Sequence, residues 1–178
     1  MPWSQEQAVK ALEFAARAHG DQRVPGKPYS YVVHLASVSM EILAAVAAVP
    51  QLNADLAIQC ALLHDVLEDT DTTESAVEVA FGPLVMRGIR ALTKNKALPP
   101  AERMKDSLRR ILREPPEIGM VKMADRISNL SEPPRHWTAE RIAGYRDEAQ
   151  LIHDSLKHCH EWLATRLLQK IEEYRKHL

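Results

Sequence analysis

Residues 60–72 read CALLHDVLEDTDT, an apolar stretch that ends in four groups an apolar helix tolerates poorly. Cys60, Leu63 and Leu67 recur at helical spacing and form a buried stripe. His64-Asp65 and Glu68-Asp69 interrupt it. Residues four apart share a helix face, so Glu68 lies one turn beyond His64 and Asp69 one turn beyond Asp65. Four such side chains are costly to bury without a partner, and a divalent cation would provide one. The competing reading is a capped helix end with solvated acids.

Outward from this segment the chain reads as all-α. Helix-period apolar spacing recurs, and no sustained strand-like alternation appears. Ser4 and Gln7 have capping-box spacing before a first helix, with Val9, Leu12, Ala16 and His19 on one stripe. Residues 20–29, with two Gly and two Pro, form a loop before a helix over Tyr31–Ala48. Asn53 caps a helix predicted from Ala54 to near Leu67, and Asp71 with Glu74 suggests the start of the next. Gly82-Pro83 ends that helix and begins another, and residues 93–99 are a loop. Further helices are expected over Pro100–Arg113, Ile118–Leu130 and Thr138–Lys157. The last covers the tail from His160 to Leu178, giving about eight to ten in all. With no repeat or flexible linker, residues 1–178 are expected to be one domain, with a motif core over about 8–146 and C-terminal helices over 138–178.

Composition removes several function classes. The 23 Lys+Arg against 24 Asp+Glu argue against a general nucleic-acid binder or a polybasic membrane anchor. The longest apolar run, Ile42–Val49, is too short to span a bilayer and ends at Pro50. The N-terminal MPWSQEQ lacks the pattern of a signal peptide, and Cys60 and Cys159 cannot form a disulfide framework. The expectation is a cytoplasmic protein.

Two further segments supply ligand chemistry. In VKMADRISNL (121–130), Met123, Ile127 and Leu130 are apolar, while Asp125 and Asn129 share the four-residue spacing. In PYSYVVHL (28–35), His34 stands among apolar neighbours. Taken singly, Asp125 reads as a surface residue and His34 as a core histidine. Together, His34, His64, Asp65 and Asp125 make a set of two nitrogens and two carboxylates without thiolate, which suits Mn²⁺, Fe²⁺ or Zn²⁺. His153, His158 and His160 flank Cys159, but no two are four residues apart, so they do not read as a metal tail. Trp3, Trp137 and Trp162 read as packing anchors. The amphipathic C-terminal segment (Trp162, Leu163, Leu167, Ile171, Tyr174) is either core cover or a homo-oligomer contact.

The succession AARAHGDQRVPGKPYSYVVH, ALLHDVLEDT and VKMADRISNL resembles the HD-domain hydrolases of the RelA/SpoT type, in particular the stand-alone small alarmone hydrolases. The resemblance implies an HD-domain helical bundle with one Mn²⁺ per chain bound by His34, His64, Asp65 and Asp125. Glu68 and Asp69 would orient and activate the attacking water. The implied reaction removes the 3′-diphosphate of guanosine 3′,5′-bis(diphosphate) (ppGpp) as pyrophosphate. The adenosine analogue and the 2′-phosphate of NADPH are alternative substrates, and a nucleotide sensor without turnover is the non-enzymatic alternative.

The same resemblance implies substrate contacts at Arg23, Lys94, Lys96, Asn129, Arg141 and Tyr145. Arg23, Lys96 and Arg141 are expected to face the metal together and clamp phosphates. The sequence departs from the family pattern at Leu35, where Pro is common, and at Ser131-Glu132, where Arg-Thr is frequent. It lacks the synthetase and regulatory domains of the long relatives, so synthesis is not expected.

Overall fold

The computed structural model describes residues 3–49 and 51–178, so Met1 and Pro2 of the leading stretch and the helix-ending Pro50 lie outside the described residues. Helix α1 (Gln5–His19) begins at Ser4, whose Oγ accepts the Gln7 N–H at 3.2 Å. The expected reciprocal arm of a capping box is taken by a tertiary partner: Ser4 N–H donates to Asp55 Oδ1 at 2.7 Å. The buried face of α1 is Ala11, Ala15 and His19; of the expected stripe His19 is buried, Leu12 and Ala16 are half-buried, and Val9 is 46% exposed. Small alanines let α1 pack closely on α3, which rotates Val9 outward.

Helices α2 (Val32–Ala48), α3 (Ala54–Leu63) and α7 (Pro116–Asn129) form the centre of the bundle. Every residue of α3 except Asp55 is buried, consistent with a helix packed against α1, α2, α5 and α7. The predicted continuation of α3 to Leu67 does not occur. The helix stops at Leu63, His64-Asp65 form a turn, and a short α4 (Val66–Asp69) follows. On one continuous helix, adjacent side chains diverge by about 100°. The turn carries both residues, and their side chains meet, His64 Nε2 lying 2.9 Å from Asp65 Oδ2.

Helix α5 (Glu74–Leu92) is broken at Gly82 (φ +85), where Pro83 restarts it, as the Gly-Pro pair predicts. Its N-cap is Thr73, accepting the Ala76 N–H at 3.2 Å, and not Asp71; Glu74 pairs instead with Arg90. Helices α6 (Pro100–Ile111), α8 (Ala139–Leu156) and α9 (Glu161–Tyr174) follow, with a closing 3₁₀ turn over Arg175–His177. Among the described residues there is no strand, only an isolated bridge between Arg23 and Ser30. Leu163, Leu167, Ile171 and Tyr174 of α9 are buried and cover the core on α7 and α8, whereas Trp162, expected as a packing anchor, is 40% exposed. Among the described residues, no helix is long and apolar enough to cross a membrane.

Candidate metal centre

Helices α2 and α7 and the turn after α3 bring the four predicted ligands together. His34 Nε2 and His64 Nε2 are 3.2 Å apart, about the spacing of two donors some 2.1 Å from one ion. Asp125 Oδ1 lies 3.5 Å from the first nitrogen and 3.7 Å from the second. Asp65 Oδ2 lies 2.9 Å from His64 Nε2 and 3.7 Å from His34 Nε2. His34, His64 and Asp125 are buried and offer ligand atoms all within 4.8 Å of one another; Asp65 borders this group.

The donor atoms are oriented for a cation. His64 Nδ1–H donates to the Ala61 carbonyl at 2.8 Å, which leaves the Nε2 lone pair facing the centre. His34 Nδ1 is 3.1 Å from Ser128 Oγ. Asp125 Oδ2 accepts from the buried Lys122 ammonium at 3.0 Å, and its Oδ1 from Asn129 at 2.6 Å. Burial opposes charge on His64, but Asp65 and Asp125 outweigh it and hold its pKa well above the ordinary imidazole value. Burial likewise opposes charge on Asp125, and Lys122 with the two histidines keeps its pKa well below the carboxylate range. Two histidine Nε2 atoms facing two carboxylates, with no thiolate, make a donor set that fits a divalent ion, whose binding would displace any proton from His64.

The water-activating candidates part company. Glu68 Oε2 accepts the Lys94 backbone N–H at 2.9 Å and Oε1 the Lys94 ammonium at 3.3 Å, while Lys96 reaches the Glu68 carbonyl at 2.6 Å. Asp69 is exposed and faces Asp65 across the hydroxyl of Tyr31, which is 2.5 Å from Asp65 Oδ2 and 3.5 Å from Asp69 Oδ2. Partial burial, then the charges of Asp65 and Glu68, raise the Asp69 pKa. Burial and then Asp65 push the Tyr31 phenol far above its ordinary pKa, so it remains a donor.

A cleft of about 320 Å³ opens over His34 and Asn129, walled by Lys27, Trp137, Tyr145 and Tyr174. Of the predicted substrate contacts, Asn129 and Tyr145 line it. Lys94 and Lys96 flank Glu68, as above. Arg23 and Arg141 are not among the residues lining the cleft. The Arg23 guanidinium donates to the Pro28 carbonyl at 3.3 Å, and Arg141 is exposed and stacks 4.3 Å over the Trp137 ring. Trp137 lines the cleft as well as packing against Tyr145.

Sequence reasoning missed Tyr31, Lys122, Ser128 and Lys27. Only Lys122 left a legible signal, being three residues before Asp125 on one helix face. Arg126 was also passed over: it is buried, pairs with Glu148, and lies 4.1 Å over the Tyr145 ring that it helps to hold.

Comparison with known proteins agrees with this geometry. Residues 11–167 match the HD domain family. Guanosine-3′,5′-bis(diphosphate) 3′-pyrophosphohydrolase MESH1 from Mus musculus is 33% identical over 174 residues, covering 94% of each chain. The Homo sapiens protein of that name is 33% identical over 179 residues, covering 97% of this chain and 92% of its own. A solved structure, described as a metazoan ortholog of SpoT that hydrolyzes ppGpp and plays a role in starvation responses, matches with a TM-score of 0.82. It is 30% identical, with 96% of both chains covered.

Proposed function

The chain belongs to the HD-domain family, and from that premise we propose that it is a metal-dependent hydrolase removing the 3′-diphosphate of ppGpp as pyrophosphate. The observation that carries this reading is the convergence of His34, His64, Asp65 and Asp125 beside Asp69 at the edge of a nucleotide-sized cleft. Similarity to the MESH1 enzymes over nearly the whole chain supports the substrate.

Our reading of the ion is one Mn²⁺ per chain, with Zn²⁺ or Fe²⁺ as alternatives, because the donor set has no thiolate. The ion would lower the pKa of water, from about 16 toward about 7 in the zinc case, and neutralise phosphate charge. Asp69 takes the proton of the attacking water; partial burial and the charges of Asp65 and Glu68 raise its pKa. The new O–P bond forms at the phosphorus joined to O3′, the P–O3′ bond breaks, and the departing ribose oxygen takes up a proton. The products are pyrophosphate and guanosine 5′-diphosphate.

Glu68 holds Lys94, and through it the 93–96 loop, at the rim. The nucleoside lies in the cleft against Tyr145 and Trp137, with Asn129 at its floor. An adjoining concavity shares Lys27 and Pro133 with the cleft and adds Arg135 and His136. Its cations suit the 5′-diphosphate, although Glu132 also lines it.

The test is a substrate panel. Purified, Mn²⁺-loaded protein is given ppGpp, its adenosine analogue and NADPH, with products separated by anion exchange. Pyrophosphate and guanosine 5′-diphosphate should form fastest. Turnover of NADPH alone would replace the substrate, and no turnover of any of the three would favour a sensor.

A further inference from the structure

Tyr31 bounds α2 three residues before His34, and its hydroxyl reaches Asp65, on the turn after α3. It donates to Asp65 Oδ2 at 2.5 Å. The ring is 8% exposed and stacks on His19, with centroids 4.7 Å apart and planes 25° apart. His19 is buried in turn, and its Nδ1 is 2.7 Å from Gln22 Oε1. The Tyr31 backbone N–H donates to the carbonyl of the same Gln22 at 2.9 Å. The phenol is thus fixed at its ring face, its backbone and its hydroxyl.

We infer that Tyr31 is a positioning residue for the metal centre: its hydroxyl immobilises the Asp65 carboxylate, and His19 immobilises Tyr31. Asp65 follows a helix end and lies in a turn, so its own backbone does little to set its rotamer. A hydrogen bond to one carboxylate oxygen stops the group from rotating and leaves lone pairs directed at a cation. Outer partners of this kind change metal affinity by about 10- to 100-fold when removed. At 3.5 Å, Asp69 is too distant to compete well for the phenol proton, so the bond belongs to Asp65. The inference rests on the metal centre proposed above but not on the identity of the substrate.

Tyr31→Phe removes the hydroxyl and keeps the stack on His19. Its Mn²⁺ affinity, read by the paramagnetic resonance of the free ion, should fall about 10- to 100-fold. A residue acting only through general packing would weaken binding by the same factor in an Asp65→Asn background. A residue acting through Asp65 should have little further effect there. An unchanged affinity in Tyr31→Phe, or equal losses in both backgrounds, would overturn the inference. Wild-type protein that takes up no Mn²⁺ would overturn it together with the metal centre. Mn²⁺ uptake without ppGpp hydrolysis would remove the proposed substrate and leave the Tyr31 result standing. Should Tyr31→Phe not fold, His19→Ala removes the stacked ring while leaving the phenol present, and a loss below about 10-fold is expected. Unchanged affinity in that variant would overturn the role of His19.

Discussion

Glu68 is held by Lys94 at two points, the backbone N–H 2.9 Å from one carboxylate oxygen and the ammonium 3.3 Å from the other. A carboxylate so engaged must break an ion pair before it can accept a proton from water. Asp69 has no such partner, and its pKa is raised. Asp69→Asn should therefore lower kcat by about 10²- to 10⁴-fold with metal content unchanged. Glu68→Gln should loosen the 93–96 loop and act mainly on KM. Steady-state kinetics of both variants checks this, and an equal kcat loss in Glu68→Gln would assign water activation to Glu68 as well.

Lys27, Arg135 and His136 line the concavity that continues from the cleft. Arg135 is solvent-exposed, so its contact with a phosphate is worth about 1 kcal/mol, roughly fivefold in KM. Arg135→Ala should raise KM for ppGpp and leave unchanged the KM for a guanosine 3′-diphosphate without 5′ phosphates. Equal effects on both compounds would remove the 5′-diphosphate from this compartment.

Gly119 of α7 faces Cys159, and a Cβ built on it would stand 2.5 Å from Cys159 Sγ and 3.2 Å from its Cβ. A cysteine side chain has little room to retreat. Gly119→Ala should cost about 1–3 kcal/mol by overpacking. Chemical denaturation should show most of that loss restored in a Gly119→Ala/Cys159→Ala double variant.

His160 caps α9 with a neutral ring. Nδ1 accepts the Leu163 N–H at 3.4 Å, and Nε2–H donates to the Ala45 carbonyl at 3.2 Å. Burial lowers its pKa despite the bond to Ala45. A depressed folded pKa means the unfolded chain binds more protons below its own value of about 6.5. Stability from His160 is thus present above about pH 6.5 and declines as pH falls toward the folded pKa. His160→Asn retains a capping acceptor and should flatten that part of the Tm–pH profile.

Local signals in the sequence were largely obeyed. Ser4, Asn53 and Thr138 all accept the predicted backbone N–H, and Gly82-Pro83 breaks α5. The misreadings share a cause, since each depends on a partner distant in the chain. The Ser4 N–H goes to Asp55, Val9 is turned out by packing on α3, and Glu74 goes to Arg90 rather than to a cap. The turn at His64-Asp65 is invisible to periodicity because the flanking residues keep their apolar pattern. The four residues proposed to hold the ion were legible because metal chemistry restricts residue type. Tyr31 and Ser128 were not, because a phenol and a hydroxyl are recognised only by what they touch.

The central claim is that His34, His64, Asp65 and Asp125 hold one cation on which phosphate-ester hydrolysis depends. It is tested most directly by following pyrophosphate release from ppGpp in chelator-stripped protein titrated with Mn²⁺. The account predicts no release from stripped protein and full recovery at about one equivalent per chain, with no recovery for Asp125→Ala. Pyrophosphate release that persists after stripping, or recovers equally in Asp125→Ala, would contradict it.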